Sequence, residues 1–402
     1  MTTAEDDPRR WHTLALLSGA VLLSLSAWMT ATAVGPELQA RWFLTDAQVG
    51  LLTTSVQLGF VVGTALAAVL NLADVLPARA YFAGSALLAA AANAALLAVP
   101  GYESALFARF LTGAFMAGVY PPSMKMVSTW FRSARGFAIG TLVGALTVGK
   151  ALPYLIKAIG GASPTAVIGG ASAGGVLAGL MVAAAYRDGP FSFPARPFAW
   201  SRLGRILRHR ETMLATGGYL GHMWELYAMW AWTPAFLAFA GAGRVSAVTV
   251  DLVAFGAIAA GGLGCVWGGA AADRVGRHGV VNLAMAVSGA CCLLVGFTLG
   301  APFWVAALLT WVWGFFVVAD SAQFSAMITE VAPRDAVGTA LMLQTSLGFL
   351  LTMVTIQAVP PMVDLVEWRW AFAFLALGPA AGIWSIRRLQ VVQRLHSSAP
   401  VG

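Results

Sequence analysis

Long apolar runs broken by short polar stretches divide this chain into twelve segments. The runs cover roughly 11–34, 47–72, 80–99, 103–128, 135–158, 164–186, 212–240, 246–272, 280–299, 302–329, 335–359 and 368–388. Each comes close to the ~20 apolar residues an α-helix needs to cross a ~30 Å hydrocarbon core. The breaks carry Pro, Gly or charge: Pro36, Pro77, Pro100, Pro164, Gly241, Gly243, Pro302, Pro333 and the pair Pro360-Pro361. The longest polar stretch is 187–211, with Arg187, Arg196, Arg202, Arg205, Arg208 and Arg210. It reads as a linker, in which Arg202 to Arg210 predict a short basic helix on lipid headgroups. The pattern predicts an all-α membrane protein. Its twelve transmembrane helices fall into two six-helix bundles, 1–186 and 212–402, joined by the linker 187–211.

Composition agrees with the pattern. Apolar residues make up 59% of the 402, charged residues 10%, and mean hydropathy is +0.78. A soluble domain carries roughly 25% charged residues. Trp11, Trp42, Trp130, Trp304, Trp368 and Trp370 lie near run ends, where aromatic anchors belong. The net charge of +7 is spread over short loops, so it does not indicate nucleic acid. With both termini cytoplasmic, most of the 24 basic residues fall on the inner side, as the positive-inside rule requires. The expected location is a bacterial inner (plasma) membrane, and the expected state a monomer. Cys265, Cys291 and Cys292 all lie in apolar runs, so they read as small buried residues. No Cys/His spacing suggests a metal, and nothing calls for a cofactor. No nucleophile–His–acid constellation can be defended, so an enzyme is not expected.

The two halves carry weak internal likeness. Asp74 matches Asp273, Gly113 matches Gly314 and Gly136 matches Gly338, each about 200 residues apart. Three markers in order at nearly one offset suggest a duplicated six-helix unit and thus pseudo-symmetry.

The stretch Gly269-Ala-Ala-Ala-Asp273-Arg274-Val-Gly276-Arg277 lies between the eighth and ninth runs. Its pattern, G-x-x-x-D-R-x-G-R, resembles the loop signature of the major facilitator superfamily of transporters. The first-half copy, Asn71-Leu-Ala-Asp74-Val-Leu-Pro77-Ala-Arg79, keeps the Asp and one Arg but loses the glycines. Arg109-Phe-Leu-Thr-Gly113 resembles the family's R-x-x-x-G element of span four. Ser128-Thr-Trp130-Phe-Arg132-Ser-Ala-Arg135-Gly136 resembles a loop of bacterial anion and nutrient porters. Span five lacks the Gly-Pro pair of the antiporter motif. Spans two and eight lack the interior arginines of nitrate porters. The resemblance implies alternating access, with spans one, four, seven and ten lining a central cavity. It implies a cytoplasmic latch built on Asp273, Arg274 and Arg277, with Asp74 and Arg135 as further gating candidates.

An ionisable side chain within a span costs roughly 2.5–3.5 kcal/mol on insertion scales, so each needs a reason. Glu225 lies ~20 Å along span seven and Asp320 ~15 Å from the cytoplasmic end of span ten, both near the midplane. His222 and Trp224 flank Glu225, and His222 shares its helix face at i,i+3. Glu225, Asp320, His222, Trp224 and Arg109 are the candidate substrate and proton site, with Glu225 as the titrating acid. Lys150, ~22 Å along span five, and Asp251, ~8 Å into span eight, come out at equal depth. They are expected to pair when the outer gate is shut. Asn93, Gln57, Gln323, Gln344 and Gln357 are further cavity candidates or helix-to-helix glue. The expected partners are a small-molecule substrate, protons and membrane lipid. Lys150 and Arg109 favour an organic or inorganic anion. The aromatic span seven equally accommodates a hydrophobic solute. Proton-coupled efflux of hydrophobic compounds and a non-transporting receptor or sensor therefore stay open.

Overall fold

The computed structural model describes residues 7–132, 134–160, 163–191 and 200–398. Arg196 of the linker lies outside the described residues. Among the described residues there are helices and no strands. The helices are α1 (Arg9–Leu25), α2 (Thr30–Ala33), α3 (Gly35–Trp42), α4 (Asp46–Val69), α5 (Leu72–Val75), α6 (Ala78–Ala94), α7 (Tyr102–Met116), α8 (Tyr120–Ser128), α9 (Arg135–Ile159), α10 (Pro164–Ala185), α11 (Trp200–Arg208), α12 (Arg210–Gly241), α13 (Ala247–Val275), α14 (Arg277–Leu294), α15 (Phe303–Ala319), α16 (Ser321–Val331), α17 (Val337–Trp370) and α18 (Leu377–Ser398).

Eight stretches among the described residues are long and apolar enough to cross a membrane. They begin at Asp46, Ala78, Gly136, Pro164, Ala247, Arg277, Phe303 and Val337. The apolar run 11–34 is not one helix, because the α-helix stops at Leu25 and resumes at Thr30. The run 103–128 is broken likewise between Met116 and Tyr120. The run 212–240 is one continuous helix of 32 residues, but Tyr219, His222, Trp224, Glu225 and Tyr227 dilute its hydropathy. The predicted end at Pro360-Pro361 is overrun. Each proline removes only its own N–H donor, and α17 continues to a break at Glu367, φ 56°.

The starts follow from local chemistry. Thr45, Ser163 and Ser246 cap α4, α10 and α13 through their side-chain oxygens, which accept from Gln48, Ala166 and Thr249 backbone N–H groups. All three caps stand at the end of the bundle opposite the chain termini. Outward-facing Phe107, Leu180, Leu263 and Leu308 are more than half exposed, the apolar coat a bilayer requires.

Close backbone contact reproduces the internal repeat. A Cβ on Gly113 would stand 1.8 Å from the carbonyl of Val56, and one on Gly314 would stand 1.6 Å from that of Ala257. Gly63 meets the Ala114 carbonyl, and Gly264 meets that of Phe315. Each residue of the second set lies at the same interval from its counterpart in the first. The α7–α8 break at Val119 and the α15–α16 break at Asp320 obey that interval too. Glycine removes the side chain so that backbones touch, which is how helices associate where lipid offers no hydrophobic drive. Helices α9 with α13, and α4 with α17, carry the packing between the first and second sets.

The linker helix α11 departs from expectation. Arg202 donates to the Asp335 carbonyl and Arg205 to its carboxylate, so two of its arginines turn to protein rather than to headgroups. Trp130 is also not an interface anchor. It is buried and donates to the Arg187 carbonyl at 3.0 Å.

Candidate functional site

The break in the first run builds one wall of the central site. Where α1 stops, the carbonyls of Ala27 and Trp28 lose their helical partners. Arg109 of α7, fully buried, donates to both, and at 2.9 Å to Asn93 Oδ1. Its planar fork suits several acceptors at once. Arg109 is thus committed to backbone, and its contacts fix the position of the Trp28 ring.

That ring covers Lys150. The ammonium of Lys150 lies 4.2 Å from the ring centre of Trp28, 4.5 Å from Tyr227 and 5.1 Å from Trp230. It donates to the Tyr227 hydroxyl and has no carboxylate partner among the described residues. Phe60 of α4 and Phe349 of α17 back the box, 5.2 and 5.7 Å from Trp28. Lys150 is 2% exposed. Cation–π contact is worth about 2 kcal/mol when desolvated, so the rings offset much of the cost of burying the charge. The indole N–H groups of Trp28 and Trp230 are buried without a hydrogen-bond partner.

The box is a thin layer between two spaces. On the side of the termini lies a cavity of about 90 Å³, reaching from Lys150 past Val143 and Met223 to Tyr120 and Ser325. On the other side lies a vestibule of about 500 Å³, lined by Glu37, Asp46, Tyr154, Lys157, Trp232 and Asp251. Lys150 and Tyr154 belong to one turn of α9, about 6 Å of helix, yet face different spaces. The expected Lys150–Asp251 pair is not made. Lys157, two turns further along α9, shares the vestibule with Asp251. It bonds Glu37 at 2.9 Å and the Ala33 carbonyl at 2.9 Å. Lys150 is held one layer deeper by its rings.

Glu225 turns away from this cavity, into the second helix set. It is 1% exposed and takes three donors: Ser288 Oγ at 2.9 Å, Cys292 Sγ at 3.1 Å and the Trp313 indole. His222 does not pair with Glu225. Its Nδ1 lies 2.8 Å from Asp320 Oδ1, both side chains 1% exposed. Asp320 is therefore not a free cavity acid but the partner of a histidine at a helix break. Trp224 faces α18, donating to the Phe374 carbonyl at 3.2 Å, outside the central cavity.

Comparison with known proteins fits this architecture. Residues 16–355 match the Major Facilitator Superfamily. The chain belongs to that superfamily. It is a membrane transporter of a small solute. It is also similar in fold to a crystal structure of a mutant nucleoside transporter, NupG, with TM-score 0.73 and 14% identity. That likeness covers 94% of this chain and 98% of the other. No curated protein matches the chain.

In the superfamily turn, Gly276 adopts φ 81°, a conformation L side chains rarely take. Gly269 lies close to the start of α9, an added Cβ standing 3.8 Å from the Gly136 carbonyl. Arg277 bonds Glu330 at 2.8 Å and Gln323 at 2.8 Å, both on α16. Asp273 and Arg274 are exposed. The side chains of Asp74 and Arg135 lie outside the described ones. Of the other amide candidates, Asn93 bonds Ser172 at 2.9 Å, while Gln57 and Gln344 are buried with unpartnered amide atoms. Sequence reasoning missed Lys157–Glu37, Ser288, Cys292 and Trp313. Lys157 alone left a signal, a second lysine seven residues past Lys150 on the same helix face.

Proposed function

We propose that the chain is a proton-coupled secondary active transporter of a small anion, working by alternating access. Its twelve spans form two six-helix halves, 1–186 and 212–402, with 187–211 as the cytoplasmic linker and both termini inside. The observation that carries this reading is Lys150, an ammonium without a carboxylate partner, in the layer between vestibule and cavity. The layer draws Trp28 and Lys150 from the first half and Tyr227, Trp230 and Phe349 from the second. Relative movement of the halves opens it to one side at a time. A neutral solute such as a nucleoside brings no counter-charge to Lys150, so the box favours an anion over the chemistry named for NupG.

Glu225 is the proton carrier in this reading. It sits in a dry polar nest on α12, the helix that also carries Tyr227 and Trp230, so its charge state bears on the box. Desolvation opposes ionisation, and the three donors favour it. Such opposition lets a carboxyl load and release a proton as its surroundings change. The test is anion uptake into proteoliposomes under an imposed proton gradient, with and without a protonophore. Uptake that continues unchanged after the gradient collapses would overturn the coupling.

A further inference from the structure

We infer that the Lys150 box is the seat of a short-chain aliphatic monocarboxylate. The inference rests on the reading of the central cleft as the substrate site and goes beyond it to the substrate's chemistry. Charge comes first. Lys150 is the one cationic group of the box, without a carboxylate partner among the described residues, and a seated anion would stabilise its charged form. The nearest other cations are committed: Arg109 holds the Ala27 and Trp28 carbonyls, and Lys157 holds Glu37. One cation balances one negative charge, so a dianion would bring a buried charge without a partner.

Donor chemistry comes next. The rings around the ammonium carry the Tyr227 hydroxyl and the buried indole N–H groups of Trp28 and Trp230, which have no partner among the described residues. Buried donors are rarely left unpaired. A carboxylate is acceptor-only, with about four lone-pair sites on two oxygens. Its two oxygens can take the ammonium, the hydroxyl hydrogen and an indole N–H together.

Most of the remaining cavity wall is apolar, with Leu25, Ile139, Val143, Leu146 and Val318, and the hydroxyls of Tyr120, Thr147, Ser321, Ser325 and Thr345 stand among them. An inorganic monoanion would leave that apolar surface unused. The cavity holds about 90 Å³. A dry cavity of ~150 Å³ accommodates benzene, so the body attached to the carboxylate is smaller than a phenyl ring. Charge, donors, lining and size together give an acid with a compact saturated chain.

The experiment is calorimetric titration of the purified full-length protein with acetate, propionate, butyrate, nitrate, sulfate, benzoate and uridine. The expected order is butyrate over propionate over acetate, with about fourfold tighter binding per methylene and nitrate weaker than butyrate. Lys150→Gln weakens butyrate at least about tenfold, the weight of a charged hydrogen bond. Tyr227→Phe keeps the ring and removes only the hydroxyl, so it weakens butyrate severalfold at a little-changed melting temperature. This second variant answers for the case in which Lys150→Gln does not fold. Tighter binding of sulfate, nitrate, benzoate or uridine than of butyrate overturns the inference, as does butyrate affinity indifferent to both substitutions. Proton-driven uptake of a solute that is not a monocarboxylate overturns the inference and leaves the transport reading standing. Butyrate binding at Lys150 without any transport leaves the seat standing and overturns the transport reading.

Discussion

At the scale of single residues, hydropathy marks where a charge is buried but not which way it faces. Glu225, Asp320 and Lys150 stand out in the sequence because each interrupts an apolar run. Their partners do not, because a rotation of one residue about a helix axis changes the neighbour. His222 and Glu225 share a face by spacing, yet one meets Asp320 and the other meets Ser288, Cys292 and Trp313. Glu225→Gln keeps the size and cannot lose a proton; its amide oxygen still accepts from Cys292 and Trp313, and its NH2 donates to the Ser288 hydroxyl instead of accepting from it. Proton-driven accumulation in proteoliposomes should vanish while solute exchange without a gradient continues; unchanged accumulation would move the role to Asp320. Arg109→Lys keeps the charge and loses the fork. At least one carbonyl at the α1 break is then left without a donor, a cost of about 1–3 kcal/mol. Thermal unfolding in detergent should show a melting temperature lower by several degrees.

At the scale of elements, the apolar runs locate the helices well and their interruptions poorly. The breaks at 26–29 and 117–119 lie in residues as apolar as their flanks, so no hydropathy signal marks them. The first has a tertiary cause, Arg109 taking up the freed carbonyls; the second is local, since Pro121 and Pro122 at the start of α8 offer no N–H to the preceding turn. The superfamily turn was legible because its glycine is needed locally. Gly276 at φ 81° tolerates a side chain only with strain, about 1 kcal/mol or more. Gly276→Ala should lower the melting temperature modestly and slow transport. Equal stability and rate would show that the turn relaxes. Gly314→Leu is far more damaging, since its Cβ alone would meet the Ala257 carbonyl at 1.6 Å. Loss of folded protein is the expected result by size-exclusion profile, and a normal profile would contradict the close α13–α15 packing.

At the scale of the whole molecule, three sequence markers suggest the repeat, and backbone contacts recur at one interval around one of them, Gly113 with Gly314. The docking of α11 was not legible, because the arginines that suggest lipid headgroups equally suit a single exposed carboxylate. Arg205 holds the Asp335 carboxyl below its ordinary range, chiefly by a side-chain hydrogen bond. A carboxyl with a depressed folded value contributes attachment that is complete above its unfolded value. The attachment is lost as pH falls through the folded one. Hydrogen exchange across Trp200–Arg208 should therefore quicken in acid below the usual carboxylate range, and in high salt. Exchange indifferent to both would show that apolar packing of Ile206, not the ion pair, holds the helix.

Alternating access around the Lys150 layer is most directly tested by paired accessibility. Thr53→Cys reports the vestibule and Ser325→Cys the opposite cavity, against native cysteines that are all buried. Labelling with a membrane-impermeant thiol reagent should be reciprocal: a condition that exposes one site protects the other. Simultaneous labelling of both sites would indicate an open channel and contradict the account.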